Sequence, residues 1–218
     1  WSNGPEKVLA TRHDWADRHP DWHRALVRSV LSACIWLDQP ANRVAAARVI
    51  SSPDYVGLPY EEIVGSLSGK GRQTAGRLHL DMPDFNVFHR YAANFPWRSH
   101  AKWILSQMIR WGEAPPELDS DAIARSAFQS EIYREVAASM GVPCPDRDEK
   151  LEGAHSHAWL LSTASAPIAF GPDRFLDRRM FDPADIGNYI AGFDIRHRGS
   201  RLGERDEAQV IRMSKAGR

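Results

Sequence analysis

The chain has 218 residues, 28 basic and 28 acidic side chains and 43% apolar residues, which suits one globular domain or two small ones. A formal net charge of zero removes any long-range electrostatic case for nucleic acid or an anionic membrane, although a single cation or a helix N-terminus is enough to hold a small anion. No run approaches the roughly 18 apolar residues of a membrane span, and Cys34 and Cys144 are too few for a disulfide framework or an all-cysteine zinc site.

The beginning of the chain does not read as a secretory signal, because Asp14 and Asp17 stand where an apolar core would lie. It opens on Trp1 rather than methionine, and the expectation is that its natural start lies upstream. Lys7–Thr11 reads as a short strand or an extended link. Thr11 begins Thr-x-x-Asp, a relative of the capping box, so a short helix is expected from there to His19.

Pro20 and Asp21 open the strongest helical pattern. Trp22, Ala25, Leu26, Val30, Ala33 and Leu37 follow the 3/4 spacing, with Pro40 beyond the end. Val27, Leu31 and Ile35 make the opposite side apolar too. A helix apolar most of the way round needs cover on more than one face. Cys34 within it reads as a small core residue.

Ala41–Ile50 is the next expected helix, stopped before Pro53, and a short helical turn follows Pro59. Ser68–Met82 is polar and glycine-bearing and reads as a loop. Its Gly-Lys-Gly-Arg lacks the spacing and the Lys-Ser/Thr ending of a phosphate loop.

Ser99 is the expected N-cap of a helix to Trp111, closed by Gly112 and the Pro115-Pro116 break. Trp103, Gln107 and Trp111 share one stripe of it, and Trp97 lies just before. Rings at helical spacing fill cores more often than they stack on bases. Arg98, Lys102 and Arg110 project mostly to other sides, so core packing is the preferred reading. Helices Asp119–Phe128 and Ser130–Met140 follow, the second ended by Gly141 and Pro143. Cys144–Ala166 lacks clear periodicity. Asp182-Pro183 forms an N-cap and N1 pair for a last helix through Ile190. Residues 198–218 are charged and poor in large apolar side chains, as in a flexible tail.

Motifs for chemistry are scarce. His155-x-His157 offers two metal ligands at strand spacing with no third pattern after it, so no metal is expected. There is no Gly-x-Ser-x-Gly elbow or His-Glu-x-x-His motif. Neither cysteine has the nearby histidine and helix start of a nucleophile. The residues point to a protein that is not an enzyme and carries no cofactor.

One segment carries a family pattern. "PDFNVFHRYAANFPWRSHAKWILSQMIRWGE" resembles the nitrate- and bicarbonate-binding proteins of ABC transporters (NrtA/CmpA type), with an asparagine-aromatic-proline step, Ser-His, and a helix ending Arg-Trp-Gly. "PEKVLATRHDWADRHPD", "ACIWLDQPANR", "SSPDYVGLPYEEI" and "EIYREVAASMGVPCPD" agree in the same order, and the likeness runs from Trp1 to about Ile195. It implies an α/β parent fold, two-lobed and of the type II periplasmic-binding-protein kind. Residues 1–197 would be its mostly α-helical C-terminal portion with few short strands, and 198–218 a charged tail. The absent part would hold the parallel sheet that covers the second face of the Asp21–Leu37 helix.

The resemblance also implies an activity without bond chemistry: an oxyanion held between two lobes, whose closure is read by an ABC permease. The family position that falls here lies four residues before the helix tryptophan, lysine in nitrate binders and glutamate in bicarbonate binders. In this chain it is Ser32, with Trp36 one turn on and Arg28 one turn back, where a guanidinium can replace the missing charge. The expected ligand contacts are therefore Ser32, Arg28 and Trp36, for nitrate or nitrite before bicarbonate, in a periplasmic or periplasm-facing protein. Two alternatives stand beside it: a cytoplasmic nitrate/nitrite sensor of the same fold (NasS type) that controls an RNA-binding antiterminator, and a helical protein-interaction module.

Overall fold

A computed structural model describes residues 1–72, 79–82, 84–194 and 196. Helices dominate it. α1 (His13–Arg18), α2 (Pro20–Asp38), α3 (Pro40–Ile50) and α4 (Tyr60–Leu67) lead into a hairpin of β1 (Lys70–Arg72) and β2 (His79–Asp81). After a 3-10 turn at Arg90–Ala92 come α5 (Arg98–Trp111), α6 (Ser120–Ala127) and α7 (Ser130–Ser139), then a second hairpin of β3 (Trp159–Leu161) and β4 (Ile168–Phe170), and α8 (Ile186–Ala191). Both hairpins are antiparallel, with Lys70 opposite Asp81 in one and Trp159 opposite Phe170 in the other. No parallel pairing occurs among the described residues, and no described helix is long and apolar enough to cross a membrane.

The helices fall where the spacing puts them, while several ends differ for identifiable reasons. α1 starts at His13 with Arg12 as its extended N-cap and no side-chain cap, so Thr11 lies one residue too early to serve. Lys7–Thr11 is a link, not a strand. The Ser68–Met82 loop contains the first hairpin: Gly69 takes φ 71, and the Met82 N–H reaches its carbonyl, which lets two three-residue strands pair. Asp182-Pro183 does not start α8. Asp182 instead accepts the Ala184 N–H in a turn, and Asp185 caps the helix by accepting from Asn188. The 198–218 tail lies outside the described residues.

α2 crosses α7 and runs into α3. Its Val27–Leu31–Ile35 side faces the main core, a cluster in which Leu31 is buried with Phe95, Trp97, Tyr133, Val136 and Phe170. The 3/4 stripe that begins at Trp22 faces outward: Trp22 is 71% exposed, and Ala25, Leu26 and Ala33 are exposed too, as is Trp36 beside it. Both sides of the helix are apolar, and the position of α7 decides which one is covered. Cys34 lies at the edge of the core, half-buried.

The tryptophans divide in the same way. Trp97 is 1% exposed at the centre of the core. Trp103 packs with Trp1 and Phe175 in a second cluster around Phe181 and Tyr189. Trp111 is largely exposed under the Arg110 guanidinium, which lies 4.7 Å from its ring. Core packing thus accounts for two of the three.

Ser99 does not cap α5. The helix begins at Arg98 with Trp97 as N-cap, and the Ser99 hydroxyl donates to Glu152 Oε1 at 2.6 Å. Glu152 has no solvent exposure and also binds the Lys150 ammonium, with His100 Nε2 3.5 Å away. Burial by itself would raise this carboxyl. The hydrogen bond and charge of His100, with the charge of Lys150, outweigh it and hold the group below its ordinary value. Lys102, expected to project elsewhere, is buried between Asp121 at 2.6 Å and Glu149 at 2.7 Å. Removing one member of a buried ion pair leaves the other uncompensated. Glu152→Ala should therefore lower the unfolding free energy by about 3 kcal/mol, read from urea unfolding; a loss under about 1 kcal/mol, the surface-pair range, would contradict this account of the core.

Candidate functional site

The C-terminal end of α2 is fixed by a single carboxylate. Asp38 is nearly buried and accepts the backbone N–H groups of Phe88 at 3.1 Å and His89 at 2.7 Å, and that of Arg90. Arg90 Nη1 adds an ion pair at 2.7 Å and Arg43 Nη2 a weaker one at 3.4 Å. Burial alone would raise the Asp38 carboxyl. The backbone bonds from Arg90, Phe88 and His89, with the Arg90 charge, carry it below its ordinary value instead.

The neighbouring residues complete the clamp. Asn42 donates to the Trp36 carbonyl at 2.9 Å, and Arg43 donates to those of Leu37, Leu67 and Asn86. These satisfy carbonyls that a helix end leaves without partners. The "WLDQPANR" block is thus a joint between α2 and α3, with the 84–92 segment as its third member. Tyr91 and Ala92 in that segment take left-handed φ of 64 and 48, a conformation side chains adopt only when their surroundings enforce it. Tyr91 lies so close to Gly171 that a Cβ there would come within 2.8 Å of its ring.

Held this way, α2 presents Arg28, Ser32 and Trp36 on its solvent side, each one turn from the next and each exposed. Arg28 and Ser32 are not joined by a hydrogen bond. Arg28 Nη2 donates instead to Ser139 Oγ of α7 at 2.6 Å. It lines a groove of ≈ 390 Å³ between α2 and α7 together with Asp21, Arg24, Ser29 and Glu135. Ser32 and Trp36 lie outside that groove. Arg24 is occupied by Glu135 at 2.8 Å and Asp21 at 3.7 Å, whereas no carboxylate pairs with Arg28 among the described residues. Ser139 and Asp38 are the contributors that sequence reasoning missed as site residues.

The cysteines and histidines lie apart from this face. Burial pushes the Cys144 thiol up to about 11 and raises Cys34 as well, which keeps both protonated at neutral pH. His155 stacks on Trp159 with centroids 3.9 Å apart and bonds Asp173, while His157 Nδ1 bonds the Ser156 hydroxyl. Among the described residues no group of three or more His, Cys, Asp or Glu side chains is placed to hold a metal ion.

Comparison with known proteins bears on this geometry. Residues 1–51 match the model of the NMT1-like family. The nitrate/nitrite binding protein NrtA of Synechocystis is 28% identical over 90% of this chain and 40% of its own length. The bicarbonate-binding protein CmpA of Synechococcus elongatus is 30% identical over 67% of this chain and 34% of its own. In structure, the periplasmic nitrate-binding protein NrtA from Synechocystis superposes with a TM-score of 0.69 at 24% identity, covering 85% of this chain and 44% of that one. The fold is therefore that of part of a periplasmic binding protein. The chain spans about two fifths of the length of the curated relatives it matches.

Asp38→Asn removes the charge that Arg90 and Arg43 face and should cost about 3 kcal/mol of stability. The folded pKa lies below the unfolded one, so this contribution is complete above the unfolded value. It is lost as pH falls through the folded value. Urea unfolding followed from neutral pH into acid should show wild type losing its advantage over the variant. A constant gap across the range would contradict the clamp.

Proposed function

We propose that this chain, which is of the NrtA/CmpA type in sequence and fold, works as part of a solute-binding protein that delivers a small oxyanion, nitrate or nitrite before bicarbonate, to an ABC permease from the periplasmic side. The reading rests on the outward face of α2. A guanidinium that has no carboxylate partner among the described residues at Arg28, an exposed hydroxyl at Ser32 and an exposed indole at Trp36 lie on one stripe of a helix whose end is clamped. A fork of N–H donors suits the oxygens of a planar anion, and Ser32 adds a donor without charge. The indole supplies an apolar wall that sheds water from the contact. Binding of this kind makes and breaks no covalent bond.

The same face supports a second element of the proposal. Trp22, Leu26 and Trp36 are exposed along α2, and Val44 and Val49 on α3, and large apolar side chains left in solvent ask for a partner. The nitrate-binding relative of known structure is more than twice the length that this chain matches. The remainder of a protein of that length would cover α2 and bring the other half of the ligand cleft. The charged segment 198–218 would then be a tail outside the binding fold. The sensor alternative would share Arg28 as an anion contact and differ in what reads the bound state, whereas the interaction-module alternative would use this surface without an anion.

In the full-length protein, Arg28→Ala should weaken nitrate binding by about tenfold or more, the loss of one charge-assisted hydrogen bond. Lys7→Ala, at a fully solvated side chain, should leave it unchanged. Titration calorimetry that gives the same nitrate affinity for both variants and wild type would remove Arg28 from the site.

A further inference from the structure

We infer that Ser139, the last residue of α7, orients the Arg28 guanidinium for the oxyanion and so is a positioning residue of the site. The inference rests on the α2 face being the ligand face, and it adds a second helix to it. The Ser139 hydroxyl has one hydrogen, and that hydrogen is directed to the Val136 carbonyl at 2.6 Å. Its oxygen is thereby left as an acceptor and receives Arg28 Nη2 at 2.6 Å. A hydroxyl held in this sense cannot compete with the guanidinium as a donor to an anion; it can only fix where the guanidinium lies.

The surroundings fit that role. A carboxylate in place of Ser139 would hold Arg28 equally well but neutralise it, as Glu135 and Asp21 do for Arg24 in the same groove. Serine holds the side chain and leaves its charge. The C-terminal carbonyls of α7 add a partial negative charge that favours the cation without pairing it. One Arg28 N–H goes to Ser139, and its remaining donors are available to two oxygens of a planar anion. The class of ligand is therefore a small planar monoanion with at least two oxygens, the geometry of nitrate, nitrite and bicarbonate. The two carboxylates at the Arg24 end of the groove disfavour larger polyanions that would reach them.

A double-mutant cycle in the full-length protein tests this, with nitrate titration as the readout and thermal unfolding measured alongside. Ser139→Ala should weaken nitrate binding on the order of threefold to tenfold, and Ser139→Thr, which keeps the hydroxyl, should recover most of it. In an Arg28→Ala background, Ser139→Ala should have no further effect, because its influence passes through Arg28. Wild-type affinity for Ser139→Ala, or an equal loss in both backgrounds, would overturn the positioning role while leaving the ligand face intact. Wild-type affinity for Arg28→Ala alone would overturn the ligand face itself, and with it this inference.

Discussion

A carboxylate taken out of water is costly unless every acceptor position is used and an opposite charge stands close by. Asp38 meets both conditions with three consecutive backbone N–H groups and two arginines. What it holds together is otherwise weakly connected: the end of a long helix, the start of the next, and a segment fifty residues further along the chain. Tyr91 and Ala92 adopt left-handed backbone in that segment, and the clamp is one of the forces that keep them there. Without it, the last turn of α2, which carries Trp36, would keep only its own ladder and the bonds from Asn42 and Arg43.

From this fixed end follows the two-sidedness of α2. Its inner side reaches the main core through Leu31, and its outer side carries large apolar residues into solvent together with Arg28 and Ser32. α5 gives the contrast. It is covered by α6 and α8 and buries Ser99, Lys102 and Ser106 with partners for each. α2 combines an uncovered apolar stripe with Arg28, which has no carboxylate partner among the described residues. That combination, more than the tryptophan-rich segment that first draws the eye, is where binding is best supported.

The sequence made the helices legible because their apolar spacing is strong. It also made legible that α2 needs cover on two sides. Which side is inside was not readable, since Trp22–Leu26–Leu37 and Val27–Leu31–Ile35 are equally apolar and only the position of α7 separates them. Ser99 has the right chemistry for a cap, yet Glu152, 53 residues away, takes its hydroxyl. Strands of three residues leave no periodicity to detect, so the first hairpin was hidden in a glycine-bearing loop. The proposed site divides in the same way. Arg28, Ser32 and Trp36 follow from one family block read on a helical wheel. Ser139 stands 111 residues beyond Arg28, and no local pattern marks a serine that ends a helix as the partner of a distant arginine.

The central claim is that the outward face of α2 is at once a ligand surface and a surface roofed by further protein. A crystal structure of the full-length protein grown with nitrate tests both halves together. The account predicts a planar ion within hydrogen-bonding reach of Arg28 and Ser32, with Trp22 and Trp36 covered by the rest of the chain. An ion bound wholly elsewhere, or an α2 face still open to solvent in the complete protein, would contradict it.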